Sequence, residues 1–142
     1  MYDVTVVGGG IIGLSVAKQM SEHHPGKKIV LLEKEQSIGL HQTGHNSGVV
    51  HSGIYYKPGS LKANLCVVGN RLLYDFAEKN KIEYFNCGKL IVGHNNQDLK
   101  KLEKLLENGK ENGVKDLRLL SYQEAEKIQP GIKCQEALWV PS

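Results

Sequence analysis

Cysteine is too sparse and too irregularly spaced to organise this chain. Cys66, Cys87 and Cys134 are its only three. An odd number without CxxC spacing argues against a disulfide framework or a thiolate zinc site, and inert or buried thiols are the expectation. Long apolar runs are missing as well: the stretches 4–7 and 29–32 are far shorter than the roughly 18 residues that cross a bilayer, so no transmembrane helix is expected. Neither sign of charge dominates. Eighteen Lys plus Arg against fifteen Asp plus Glu leave a net +3, and the basic residues are scattered, so nucleic acid is not an expected partner. Repeats and low-complexity tracts are also lacking. Met1 stands directly before the first strand pattern, with no room for a signal or transit peptide, so a cytoplasmic, preferentially bacterial location is expected. What is present, 40% hydrophobic and 23% charged residues in a chain of 142, suits one soluble globular domain.

Periodicity orders the elements. Residues 2–7 are β-branched and apolar, 11–22 carry helical spacing, and 28–32 form a second strand run, which together make a βαβ unit. Pro25 and Gly26 stop the helix, and both strands are expected to be parallel and covered on two faces. From 33 to 58 the periodicity gives way to Gly, His, Asn, Ser and Thr, too long and polar a stretch for a simple connector. Ser60 then caps a helix reaching about Asn80, whose apolar residues Leu61, Leu65, Val68, Leu72, Leu73, Phe76 and Ala77 should pack and support the loop before it. A strand at 88–92, a charged helix at 97–113, a strand at 117–120, a helix opened by Ser121 and Glu124 and ended by Pro130 and Gly131, and a strand at 137–140 complete the order. The chain then stops after an apolar run, which reads as a truncation.

Gly8, Gly10 and Gly13 form GxGxxG between a strand and a helix. In that context the first glycine permits the turn, the second lets backbone N–H groups approach a pyrophosphate, and the third lets helix and strand pack closely. The helix N-terminus then faces the phosphates. Ile11 and Ile12 lie inside the motif and are counted with the site. Glu33, about 20 residues beyond Gly13, ends the second strand where a carboxylate accepts from a ribose diol, with Lys34 beside it. These residues indicate an adenine dinucleotide and do not choose between NAD and FAD.

The segment LHQTGHNSGVVHSGIYYKPGSLKANL, residues 40–65, resembles the L-2-hydroxyglutarate dehydrogenase/oxidase family, a branch of the D-amino-acid-oxidase-like flavoproteins. The resemblance runs from the first strand through GKLIVG at 88–93 and weakens beyond. It implies an α/β, Rossmann-like FAD-binding domain of the D-amino-acid-oxidase type over 1–80 and the incomplete beginning of an α+β substrate domain over 81–142. It further implies FAD as cofactor, oxidation of L-2-hydroxyglutarate to 2-oxoglutarate, and electron transfer to a quinone-linked acceptor or oxygen. Thr43, Asn46, Ser47 and Gly48 match the family's flavin-contacting loop and carry suitable hydroxyl, amide and backbone donors.

Alcohol oxidation needs a group to receive the hydroxyl proton, and His51 in VVHSG is the first choice. Tyr55, Tyr56 and Lys57 follow it, and a phenol or ammonium there could bind a substrate carboxylate, although aromatic packing explains the tyrosines equally well; Lys62 has the same standing, and Tyr55 is counted with His51 as catalytic. His41 and His45 share the loop without an assigned role, and His23, His24 and His94 read as surface turn residues. No histidine pair takes i, i+4 spacing on a helix and no carboxylate or thiol is arranged with them, so no metal is expected.

The family is much longer than this chain. Its later half is implied to supply a strand of the FAD fold, a backbone contact to the flavin ring, the basic residues that hold the dicarboxylate and any membrane contact. This chain alone is therefore expected to be inactive and poorly stable, with an open sheet face. The location implied is cytoplasmic, peripheral at the inner membrane, or mitochondrial for a eukaryotic parent. The rivals are a flavoenzyme of the same superfamily acting on another 2-hydroxy acid, on glycerol 3-phosphate or on an amine, and a non-catalytic dinucleotide-binding module.

Overall fold

The computed structural model describes residues 1–141. Nine elements follow in order: β1 (Val4–Val7), α1 (Ile11–His23), β2 (Ile29–Leu32), α2 (Leu61–Lys79), β3 (Lys89–Gly93), α3 (Asn96–Glu111), β4 (Arg118–Ser121), α4 (Tyr122–Ile128) and β5 (Glu136–Val140). Their number, type and order match the periodicity, with ends moved by one or two residues. They fall into two compact units, Met1–Gly48 and Val49–Ser142.

In Met1–Gly48, β1 pairs in parallel with β2, Val4 opposite Ile29 and Val7 opposite Leu32, and α1 makes the crossover. Gly8 N–H extends the ladder by donating to Leu32 O at 2.8 Å. Expected cover on both faces is not found: Val7 is 82% and Leu32 52% exposed, because this unit has two strands and one helix with which to bury them. The helix ends at His23, whose Nδ1 lies 2.9 Å from Gln19 O. His23 is thus a last-turn helical residue, with His24 as the C-cap ahead of Pro25.

In Val49–Ser142, β5 lies between β3 and β4 and is antiparallel to both. The apolar side of α3 covers this sheet. Leu102, Leu138 and Val140 are buried together with Ile54, and Leu99, Leu105, Leu106, Leu117 and Leu119 pack around them. The lysines and glutamates of α3 are exposed, as expected of an amphipathic helix. The Asn95 side chain caps α3 by accepting from Gln97 and Asp98 N–H. Ser121 and Glu124 form the reciprocal capping box that opens α4, worth about 1 kcal/mol for such a cap.

The second helix departs from expectation. Ser60 caps α2 as anticipated, accepting from Ala63 N–H, but Leu61, Leu65, Val68, Leu72, Leu73 and Phe76 stay exposed and only Ala63 and Ala77 are buried. Among the described residues no element covers that stripe, so helical spacing identified the helix without identifying a partner for it. All three thiols are free, Cys66 and Cys134 are half-buried, and Cys87 is exposed. Burial pushes the Cys66 thiol pKa up, which keeps it protonated and unreactive.

Candidate cofactor site

The glycine turn is built by close approach. Gly8 has φ +104, a conformation that L side chains rarely adopt, and a Cβ on Gly13 would lie 1.9 Å from Gly8 O. Any side chain at 13 would thus push the first turn of α1 off the strand. Beyond the turn, Glu33 folds back from the end of β2: its Oε2 accepts from Gly9 N–H at 2.6 Å and its Oε1 accepts from Glu35 N–H at 3.0 Å. The N–H groups of Glu35 and then Gly9 hold the Glu33 carboxyl below its ordinary value. Glu33 therefore tethers the turn to β2 as an anion, and each oxygen keeps a lone pair for a hydroxyl donor.

The N-terminus of α1 has no side-chain cap from Gly10. The Thr43 hydroxyl takes that place across 32 residues, its Oγ1 accepting from Ile11 N–H at 2.9 Å. An oxygen acceptor at a helix N-terminus occupies the position that suits a phosphate oxygen, so the donor set and the cradle fit a pyrophosphate. Gly39 N–H donates to Gly9 O at 3.0 Å, bringing the loop over the turn.

The remaining loop residues behave differently from one another. Asn46 is committed to the loop's own backbone: its Nδ2 donates to Gln42 O and Thr43 O, and its Oδ1 accepts from Gly48 N–H. Gly48 turns at φ +64, and Ser47 is exposed. The side chains of Ile11 and Ile12 are exposed, so of that pair it is the backbone N–H of Ile11 that enters the site. Lys34 Nζ is 3.5 Å from Glu35 Oε1, and His41 Nε2 is 2.9 Å from the same oxygen. Structure thus gathers Gly8 to Gly13, Glu33 and Thr43, and leaves Lys34 on the rim.

His51 and Tyr55 belong to the second unit, where the backbone around them is rigidly held. Ile54 is 1% exposed and plugs the core beside Leu102 and Leu138, a burial worth roughly 1.5–3 kcal/mol. Asn112 Nδ2 donates to Gly53 O at 3.1 Å and to Tyr56 O at 2.9 Å. The His51 carbonyl accepts from Asn70 Nδ2 at 3.2 Å and Cys66 Sγ at 3.3 Å, so α2 does support the loop before it. The Tyr55 ring carries Lys89 Nζ at 4.8 Å from its centroid, and the Tyr56 ring carries Lys62 Nζ at 4.4 Å. Sequence reasoning missed Ile54, Asn112 and Lys89. Ile54 is one of several apolar residues in its loop and carried no signal of its own; the other two act across 34 or more residues and left none. Among the described residues no group of three or more His, Cys, Asp or Glu could hold a metal.

A family model described as "FAD dependent oxidoreductase" matches residues 3–142. Among curated proteins, the mitochondrial L-2-hydroxyglutarate dehydrogenase of Dictyostelium discoideum is 52% identical over 124 residues, 87% of this chain and 28% of that protein. The Homo sapiens enzyme of the same name is 50% identical over 129 residues, 91% of this chain and again 28% of that protein. The chain thus spans less than a third of the length of these two relatives. Among solved structures, dithionite-reduced L-α-glycerophosphate oxidase from Mycoplasma pneumoniae with FAD bound is similar at TM-score 0.86 and 30% identity, covering 99% of this chain and 38% of that one. With an α/β fold, a glycine cradle between strand and helix and a family match over nearly its whole length, the chain belongs to the FAD-dependent oxidoreductase family.

Proposed function

We propose that this chain carries the flavin-binding part of an L-2-hydroxyglutarate dehydrogenase that converts L-2-hydroxyglutarate to 2-oxoglutarate. The observation that carries the reading is identity of 50–52% to enzymes of that name over 87–91% of the chain. Residues 1–80 form the FAD-binding part and 81–142 begin the substrate domain. Gly8, Gly10, Gly13 and the Ile11 backbone, with Ile12 beside it, hold the pyrophosphate, Glu33 the ribose diol with Lys34 at its edge, and Thr43, Ser47 and Gly48 the flavin side, on a loop that Asn46 holds in shape. FAD, when bound, supplies the hydride acceptor.

The protein's own share is proton handling and orientation. Oxidation of the C2 alcohol removes the C2 hydrogen with its electron pair and releases the hydroxyl proton. The His51 imidazole takes that proton, and the hydrogen bonds from Asn70 and Cys66 to its carbonyl hold the backbone that carries it. Tyr55 orients the substrate. Electrons leave to a quinone-linked acceptor or oxygen, and the protein resides in the cytoplasm of a bacterium or the mitochondrion of a eukaryote.

The test is an anaerobic absorbance titration of the flavin-loaded protein, expressed through its natural stop codon, with the L and D enantiomers of 2-hydroxyglutarate. Bleaching by the L form alone supports the reading. A flavin bleached instead by glycerol 3-phosphate would favour the second reading, which the 30% identity to the glycerophosphate oxidase keeps in view. A flavin reduced by none of these removes the substrate assignment.

A further inference from the structure

Within the second unit two ammonium groups lie over the rings of two consecutive tyrosines. Lys62, on the first turn of α2, lies over Tyr56, and Lys89, the first residue of β3, lies over Tyr55. Among the described residues no carboxylate comes within 4.0 Å of either nitrogen. Both lower the pKa of the half-buried Cys66 thiol, which burial raises more. Lys89 is itself half-buried, and burial pulls its pKa down. Ring faces offset part of the charge through their quadrupoles. They do not satisfy the six N–H donors of two ammonium groups. The half-buried Lys89 ammonium without a counter-ion is electrostatically incomplete, and an anion with oxygen acceptors completes it, with the exposed Lys62 as a second cation.

We propose that Lys62 and Lys89, seated on Tyr56 and Tyr55, form an anion site of this chain that binds the carboxylates of the dicarboxylic substrate, an assignment that rests on the L-2-hydroxyglutarate reading above. Two cations suit two carboxylates, whereas a substrate with a single anionic group needs only one. The tyrosines serve as platforms that hold the ammonium groups in place. Lys57, the lysine nearest His51 in sequence, makes neither ring contact, and Lys89 takes the role that proximity in sequence would have given it.

The test uses the flavin-loaded protein and glutarate, which has both carboxylates and no oxidisable hydroxyl. Lysine acylation is mapped by peptide mass spectrometry with and without glutarate. Lys62 and Lys89 should be protected and Lys57 should not; equal labelling of all three with and without glutarate overturns the proposal. In turnover, Lys89→Met and Lys62→Met, which keep the stem and remove the charge, should each raise the KM for L-2-hydroxyglutarate about tenfold or more, as loss of a charge-assisted contact does, with kcat falling less. Lys89→Arg should retain most of the affinity. Unchanged KM in both Met variants also overturns the proposal. Trp139 fluorescence reports whether Lys89→Met folds, and the exposed Lys62→Met provides the second variant if it does not. If L-2-hydroxyglutarate fails to bleach the wild-type flavin, the substrate reading falls, while the glutarate footprint still decides whether the anion site exists.

Discussion

The two units are stabilised by different physics. Among the described residues of Met1–Gly48, Gly9 alone is buried, whereas every buried hydrophobic side chain lies in Val49–Ser142. The first unit holds its shape by backbone hydrogen bonds: a parallel two-strand ladder, the Glu33 carboxylate on Gly9 and Glu35, and the Thr43 hydroxyl on Ile11. The second holds its shape by the packing of α3 against a three-stranded sheet, with one loop residue inserted into it. A site made from turns and helix ends needs little core, because its donors are main-chain groups. It then depends on what binds it, since a ligand that prefers the folded form adds stability in proportion to the logarithm of its concentration over Kd.

The largest expected effect tests the packed unit. Leu138→Ala empties a fully buried position between β3 and β4 and should cost ~2–5 kcal/mol. Denaturant unfolding followed by Trp139, the only tryptophan, should shift strongly to lower midpoint; an unshifted midpoint would mean that the core is not where the stability lies. Gly13→Ala tests the cradle in the same way. With 1.9 Å available to the new Cβ, overpacking of ~1–3 kcal/mol should strip FAD from the purified protein while the Trp139 transition hardly moves. Movement of both signals together would break the distinction between the units.

Thr43→Val should weaken FAD binding about fivefold, the equivalent of a lost cap of ~1 kcal/mol, and Thr43→Ser should restore it; equilibrium flavin fluorescence measures both. The smallest effect is a pH dependence. Because the Glu33 pKa is lowered from 4.5 in the folded chain, its contribution is fully present above that ordinary value and is lost as pH falls through the depressed folded value. FAD retention followed in acid should decline only there, and Glu33→Gln should flatten the decline. Retention that falls already at neutral pH would assign the loss to another group.

Legibility in the sequence followed the same division. GxGxxG, the Glu33 spacing, the Ser60 cap and the Ser121/Glu124 box are short-range patterns, and each stands where the residues indicated. The partners of those patterns were less readable. Asn46 offered the amide chemistry of a flavin contact, yet its amide is folded onto Gln42, Thr43 and Gly48, because an amide in a tight loop satisfies the nearest backbone first. The apolar stripe of α2 predicted burial and is exposed, because periodicity states which face is apolar and not what covers it.

By itself, then, the sequence determined the nine elements, the strand-turn-helix cradle and the flavoprotein family, since helices, caps and glycine turns are decided by hydrogen bonds and sterics within a few residues. Tertiary structure alone decided that β5 lies between β3 and β4, that Ile54 enters the core, that Asn112 binds carbonyls 56 and 59 residues away, and that Lys89 stands over Tyr55. Those contacts join segments whose local patterns carry no record of one another, and only the collapse of the apolar face of α3 onto its sheet brings them within reach.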